Sequence, residues 1–401
     1  MKNESNSVLL EKQLLDEYKV GDFFLASPKR TLLGKGVFSI VNSNNEDGCL
    51  TDRVMEALEN AKKQGHDNPI VVGAIPFDNK RDVQLIVPES IEITDTLKLD
   101  ANSSVKPAIS STCEIKPIPE PAQYEEAVEK GVNYIKSGEI NKIVLSKSLH
   151  LTSSTTVDIY QLLHNLAQHN NLGYTFAVDL TKNESSRKKT LVGASPELLM
   201  SRTGEYLIAN PLAGSRPRGK DPIEDQRLAE ELLASLKDLH EHEVVVNAIA
   251  SALRPFCKEL EVPEKPSLLH TETMWHLSTE IKGELLDPTT SSLELALALH
   301  PTPAVCGSPT EVAREVIHKI EPFDRGFFTG ILGWCDSKGD GEWIITIRCA
   351  EVEDKSLRLF AGAGIVAESK PEEELAETTA KLRTMLRAMG LNKELSIDDG
   401  K

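Results

Sequence analysis

The six cysteines (Cys49, Cys113, Cys257, Cys306, Cys335 and Cys349) include no Cys-x-x-Cys pair, so two thiolates spaced for one metal are excluded and separate, reduced thiols are expected. His240-Glu241-His242-Glu243 lacks the second histidine of a zinc-protease helix, because Val244 stands where it would be. No apolar run reaches membrane-spanning length, and Met1 to Tyr18 has no apolar core of a secretory signal. Basic charge is also scarce. With 45 Lys and Arg against 62 Asp and Glu, the formal net charge is -17, which argues against a nucleic-acid surface. The expectation is a cytoplasmic protein without nucleic-acid or membrane partners, in which a small anionic substrate meets a local basic pocket or a metal.

What is present is material for a large core. At 401 residues and 40% hydrophobic content, the chain is long enough for two domains or one large one. Apolar runs at Phe23 to Leu25, Val37 to Val41, Ile70 to Ile75 and Val83 to Val87 predict strands, with a helix over Asp52 to Gln64. A Ser-, Pro- and Lys-rich stretch from Asp100 to Pro121 reads as a surface connection. Beyond it, Tyr124, Val128, Val132 and Ile135 mark a helix stopped by Gly138, and Lys142 opens a strand to Leu149. A long helix is predicted from Ile223 to about Leu253 on a leucine stripe (Leu228, Leu232, Leu236, Leu239), ended by Pro255. Alternation from Trp343 to Ala350 predicts one strand with Arg348 on the face opposite Trp343. A strand over Leu357 to Val366 and a helix from Pro371 to Met389 complete the chain.

Two helices each present a pair of acids on one face: Asp238 with Glu241, and Glu374 with Glu377, the latter followed four residues on by Lys381. A solvated charged stripe explains either pair taken alone. Hard oxygen donors without Cys or His also suit Mg2+, which takes one or two protein carboxylates and keeps other ligands from water or substrate. Ser195-Pro196-Glu197 fits the start of a capped helix. In the Gly- and Pro-rich segment Asn210 to Gly219, an anion-binding nest competes evenly with an ordinary turn. Ala361-Gly-Ala-Gly364 lets backbone approach a ligand, but it lacks the helix entry of a dinucleotide fingerprint.

Several ordered segments together resemble one family, the chorismate-utilising enzymes. They are Lys142-Ile-Val-Leu-Ser146, Gly193-Ala-Ser-Pro-Glu-Leu-Leu199, Asn210-Pro-Leu-Ala-Gly-Ser215, His240-Glu-His-Glu243, His276-Leu-Ser-Thr279, His300-Pro-Thr-Pro-Ala304, Glu342-Trp-Ile-Ile-Thr-Ile-Arg348 and Phe360-Ala-Gly-Ala-Gly-Ile365. The resemblance spans Tyr124 to Leu391 and is most similar to the isochorismate synthases of catechol siderophore (2,3-dihydroxybenzoate) pathways. It implies an α+β fold of two large antiparallel sheets packed face to face with helices outside. The domain expectation is then a single unit over 1–401, with a looser portion at 1–120 and the catalytic portion at 121–392.

The resemblance further implies Mg2+ between Glu241 and Glu377, with Asp238 and Glu374 nearby. The carboxylates of chorismate would be held by the metal, Arg348, Lys381 and backbone amides around Ser215 and Gly362, with Ala304 at the wall. Lys142 is implied as the base that activates water for attack at ring C2, which requires it to act in its neutral form, and Glu197 as the acid that protonates the departing C4 hydroxyl. Family members that use ammonia generally carry Gln at the Lys142 position. Lys142 therefore points to water chemistry, no glutamine amidotransferase partner, and a monomer. A salicylate synthase, distinguished by differences around Ala304 and Phe328, is the alternative enzyme, and a catalytically silent chorismate-binding subunit is the alternative of another class. Cys306 stands where Gly is more usual, and His276 is read as a packing or orienting residue in preference to a reacting one.

Overall fold

The computed structural model describes residues 14–42, 48–78, 80–99, 104–110, 112–170, 172–181 and 188–391. The first thirteen residues of the polar amino terminus, residues 100–103 and 111 of the expected connection, and residue 392 of the expected catalytic portion lie outside the described residues. Among the described residues, strands assemble into a ten-stranded, a nine-stranded and a three-stranded sheet.

The two large sheets face one another across a core that mixes side chains from both. Phe23, Leu25, Phe176, Leu191 and Phe360 from the ten-stranded sheet pack with Val72, Leu198, Leu332, Trp334 and Ile344 from the nine-stranded one. The outer faces are covered by helices. The helix Ile159–Gln168 and the end of the last helix cover the first sheet, while Leu50–Lys63, Leu236–Leu253 and Ser292–Leu299 cover the second. Strands from the first hundred residues belong to both sheets: Phe23–Ala26 and Thr31–Lys35 in one, Ile70–Ile75 and Gln84–Val87 in the other. The segment expected as a surface connection also contains a strand, Cys113–Ile118, which pairs with the strand that begins at Lys142.

The elements that carry the site are the strands β1 (Lys142–Ser153), β2 (Lys189–Ser195), β3 (Leu198–Thr203), β4 (Leu212–Pro217), β5 (Met274–Ser278), β6 (Gly341–Ile345), β7 (Cys349–Glu353) and β8 (Ser356–Ile365). With them come the helices α1 (Leu236–Leu253) and α2 (Pro371–Ala388). β1 and β8 pair antiparallel over ten residues, from Ile143 opposite Ile365 to Thr152 opposite Ser356.

Five expectations are corrected here. The helix predicted from Ile223 to Leu253 is two helices, Pro222–Ala234 and α1, divided at Ser235 with extended backbone (φ -75, ψ 110). The serine hydroxyl accepts the Asp238 amide, so local capping competes successfully with helix continuation, and Leu236 leaves the apolar stripe for solvent. The strand predicted from Trp343 to Ala350 is β6 and β7, which lie in different sheets; the chain crosses between them at 346–348, where Arg348 has φ 50. Ser195-Pro196-Glu197 is no helix entry but a second crossover, from β2 in the ten-stranded sheet to β3 in the nine-stranded one. The segment expected as a loop after Asn210 is largely β4, bent at Gly214 (φ 76). The strand expected over Val37 to Val41 shrinks to Ser39–Ile40.

Candidate active site

The two crossovers lie side by side and are hydrogen-bonded: the Ile345 amide donates to the Glu197 carbonyl (3.2 Å), and the Ala194 amide to the Arg348 carbonyl (3.0 Å). Each therefore fixes the backbone of the other. They form one wall of a cleft with about 660 Å3 of empty space, lined also by β4, β8, α1 and α2. Its apolar surfaces come from Val144, Leu212, Ala304 and Val305, and from Phe328 and Phe360, whose rings stack at 4.8 Å. Such walls suit a flat ring, with orientation left to a few polar groups.

The sequence-predicted residues Glu197, Ser215, Glu241, Ala304, Arg348, Gly362, Glu377 and Lys381 all line this cleft. Lys142 is fully buried beside it, its Nζ 2.9 Å from Glu241 Oε1 in an ion pair. Asp238 and Glu374 lie just behind, both buried.

Glu197 sits at the crossover from β2 to β3, and among the described residues no cation is in contact with its carboxyl; the Leu212 amide donates weakly to Oε1 at 3.5 Å. Burial pushes its carboxyl up to about 7, against the opposing influence of that amide, Lys142, Lys381 and Arg348. Arg348 donates from Nη2 to His276 Nε2 at 3.3 Å, while its Nη1 is buried without a protein partner. A buried guanidinium nitrogen without a protein partner, at the lining of a cleft, has the chemistry to take a carboxylate. Burial, with Arg348 and Lys381 nearby, holds His276 well below the usual imidazole range. It is therefore neutral and accepts from Arg348, an orienting role.

At the other end, carboxylates and cations alternate. Glu377 Oε1 meets Lys381 Nζ at 2.6 Å and accepts the Ser215 hydroxyl at 2.8 Å. Glu374 meets Lys237 at 2.6 Å, and Asp238 meets Arg216 at 2.6 Å. Lys381 also donates to the Gly362 carbonyl at 2.9 Å, tying α2 to β8. The residues missed by sequence reasoning are these cations, Lys237 and Arg216, and His242, which spans the Ala213 carbonyl (3.2 Å) and Thr279 (2.7 Å) under the cleft floor. Their contacts join segments remote in sequence, and no local spacing signals them. Cys306 is buried, its thiol pushed up to about 11 by burial, and so is inert at neutral pH.

Whether the acidic end suits a divalent cation can be tested on its geometry. A Cβ on Gly364 would fall 2.0 Å from Glu241 Oε1, so only glycine leaves that carboxylate its room. Burial and the neighbouring Glu377 push Glu374 up to about 7, a strain that a cation would relieve. Among the described residues no three His, Cys, Asp or Glu side chains come together as a ready-made cage. The acids present offer only carboxylate oxygens, the donor type of a hard cation.

Comparison with known proteins follows the same lines. The family model described as chorismate binding enzyme matches residues 55–390. The chain is 60% identical to isochorismate synthase DhbC of Bacillus subtilis (strain 168) over 95% of this chain and 96% of that protein. It is 41% identical to the vibriobactin-specific isochorismate synthase of Vibrio cholerae, over 92% and 91% of the two. Among solved structures, the 2,3-dihydroxybenzoate-specific isochorismate synthase DhbC from Bacillus anthracis superposes with a TM-score of 0.90 at 59% identity, over 95% of this chain and all of that one.

Proposed function

The chain belongs to the chorismate-binding enzymes, and on that premise we propose that it is an isochorismate synthase of the 2,3-dihydroxybenzoate type, converting chorismate reversibly to isochorismate. The observation that carries the chemistry is Glu197, a buried carboxyl that titrates at about 7 in the same cleft as a lysine. A carboxylic acid still protonated near neutrality can donate to a leaving hydroxyl, which an ordinary glutamate cannot.

In this reading chorismate lies between the apolar walls, with one carboxylate on Arg348 and another near Lys381 and the Ser215 and Gly362 backbone. Lys142 is the base assigned to take a proton from water as its oxygen bonds to ring C2, which requires the Lys142–Glu241 ion pair to open. Both ring double bonds shift by one position, C1=C2 to C6=C1 and C5=C6 to C4=C5, the C4–O bond breaks, and Glu197 supplies the proton with which that oxygen departs as water. One water enters and one leaves, so the same pair runs the reaction backwards with roles exchanged. His276 keeps Arg348 oriented throughout. Glu241 and Glu377, supported by Asp238 and Glu374, would hold Mg2+, which when bound neutralises and orients a substrate carboxylate.

We also read residues 1–401 as one domain, supported by the strands that the amino-terminal region contributes to both sheets. The protein is read as a cytoplasmic monomer without an amidotransferase partner, and its six free cysteines favour a reducing compartment. No helix among the described residues is long and apolar enough to cross a membrane. Purified protein incubated with chorismate and Mg2+, with products separated by chromatography, tests the assignment. Isochorismate supports it, whereas salicylate with pyruvate would make the chain a salicylate synthase, and unchanged chorismate would make it a silent relative.

A further inference from the structure

We propose that the buried pair Arg325–Glu321 is a positioning unit that fixes the apolar wall of the cleft to the strand carrying Lys142, so that ring and base are set relative to each other. This rests on the isochorismate synthase reading. Glu321 follows the helix Thr310–Ile320, and Arg325 lies four residues on. Their side chains are 3% and 2% exposed. The guanidinium grips the carboxylate at two points, Nε to Oε2 at 2.8 Å and Nη2 to Oε1 at 2.5 Å.

The pair sits beside a gap in the sheet. Gly307–Ser308 covers residues 142 and 143 of the outer edge of β1, and Cys113–Ile118 covers 148 to 153. Among the described residues no strand pairs with that edge at 144–147. There the Val144 carbonyl accepts from Arg325 Nη2 and the Ser146 amide donates to Glu321 Oε1, both at 2.8 Å. Two side chains thus stand in for a strand. The same guanidinium reaches the wall of the cleft: Nη1 donates to the Val305 carbonyl at 2.8 Å and to the Thr329 hydroxyl at 3.3 Å. Its carbon lies 4.6 Å from the centre of the Phe77 ring and 5.9 Å from that of Phe328. All five N–H donors of one arginine are therefore used, a fork that lysine cannot reproduce. Val144, Val305, Phe328 and Thr329 all line the cleft, and Lys142 lies two residues before Val144. Stability alone does not call for such a pair, because replacing a buried ion pair by apolar side chains is often neutral. What it supplies is geometry.

The test compares wild type with Arg325→Lys and with the double variant Glu321→Met/Arg325→Met, which leaves no buried charge unpaired. In both, kcat for isochorismate formation should fall by roughly 10²-fold, the effect of displacing reacting groups by about 1 Å. Equilibrium dialysis of labelled chorismate with Mg2+ should still find one site per chain, with affinity within about threefold of wild type, since the substrate carboxylates are assigned to Arg348 and Lys381. A double-mutant cycle then tests the route. Phe328→Leu should lower kcat in the wild-type background and by a much smaller factor in the double variant, where the wall is already released. Native kcat in the double variant, sites lost in step with kcat, or full multiplication of the two effects would each overturn the positioning role alone. A wild type that forms no isochorismate would overturn the reading beneath it as well.

Discussion

Glu197 and Glu377 are the same residue type, buried in the same cleft, and they titrate in opposite directions. Glu197 sits on a crossover between sheets, with cations near but none in contact, and burial carries it up to about 7. Glu377 suffers the same burial on α2, yet the charge of Lys381, hydrogen bonds from Lys381 and Ser215, and Lys237 hold it below the usual carboxylate range. The difference lies in contact: a cation at 2.6 Å overcomes desolvation, whereas cations at a distance only moderate it. One cleft thus holds a carboxyl pushed up toward neutrality and one held down as an anion, from one kind of side chain.

Glutamine in place of each glutamate breaks this comparison most directly. Glu377→Gln removes a charge that is always present and leaves Lys381 unpaired, so Mg2+-dependent turnover should be lost altogether while circular dichroism shows the fold intact. Full activity at limiting Mg2+ would place the metal elsewhere. Glu197→Gln, by contrast, imitates a protonated acid that cannot release its proton. Chorismate binding should survive while turnover falls by roughly 10²- to 10⁴-fold. Wild-type kcat/KM should decline above pH about 7 as Glu197 ionises, and an identical decline in the variant would reassign that limb. The same shift bears on stability. Since the folded state holds this proton more tightly than the unfolded one, wild type loses stability as pH rises from 4.5 through about 7, by ~3 kcal/mol relative to Glu197→Gln.

Lys142→Gln tests the opposite partner. It should leave chorismate and Mg2+ bound while isochorismate formation falls by at least about 10²-fold, and near-native turnover would remove the base assignment. The smallest effect concerns the platform under the acidic end. Ser235→Ala deletes the hydroxyl that caps α1 and should cost about 1 kcal/mol in denaturant unfolding; no loss would show that packing of α1 suffices without the cap.

Much of the candidate site was legible because the residues proposed to react sit in short motifs. Lys142 opens a strand as its turn and apolar run suggest, and the i, i+3 acids on α1 and α2 were visible from helical spacing. What failed were the corners. Ser195-Pro196-Glu197 has the local chemistry of a helix start, and only the pairing of β2 and β3 in separate sheets shows it to be a crossover. The alternation around Trp343 to Ala350 continues through Arg348 as if the chain never turned, although Arg348 lies at φ 50. The cations failed for another reason. Lys237 and Glu374 are 137 positions apart, and charge partners brought together by tertiary packing leave no period in a sequence.

The pairing of β1 with β8 carries a consequence for biosynthesis. Residues 142–153 find their neighbour at 356–365, a gap of about 200 residues that no local hairpin can close. At a translation rate of roughly 5–20 residues per second, the lysine-bearing strand waits on the order of 10–40 s for that partner to be synthesised. Throughout that interval one long, largely apolar edge is open to other chains, and a truncation anywhere before residue 356 leaves it open for good. Premature termination should therefore give aggregates in place of a smaller folded piece, and overproduction should respond to chaperones that shield exposed strand edges.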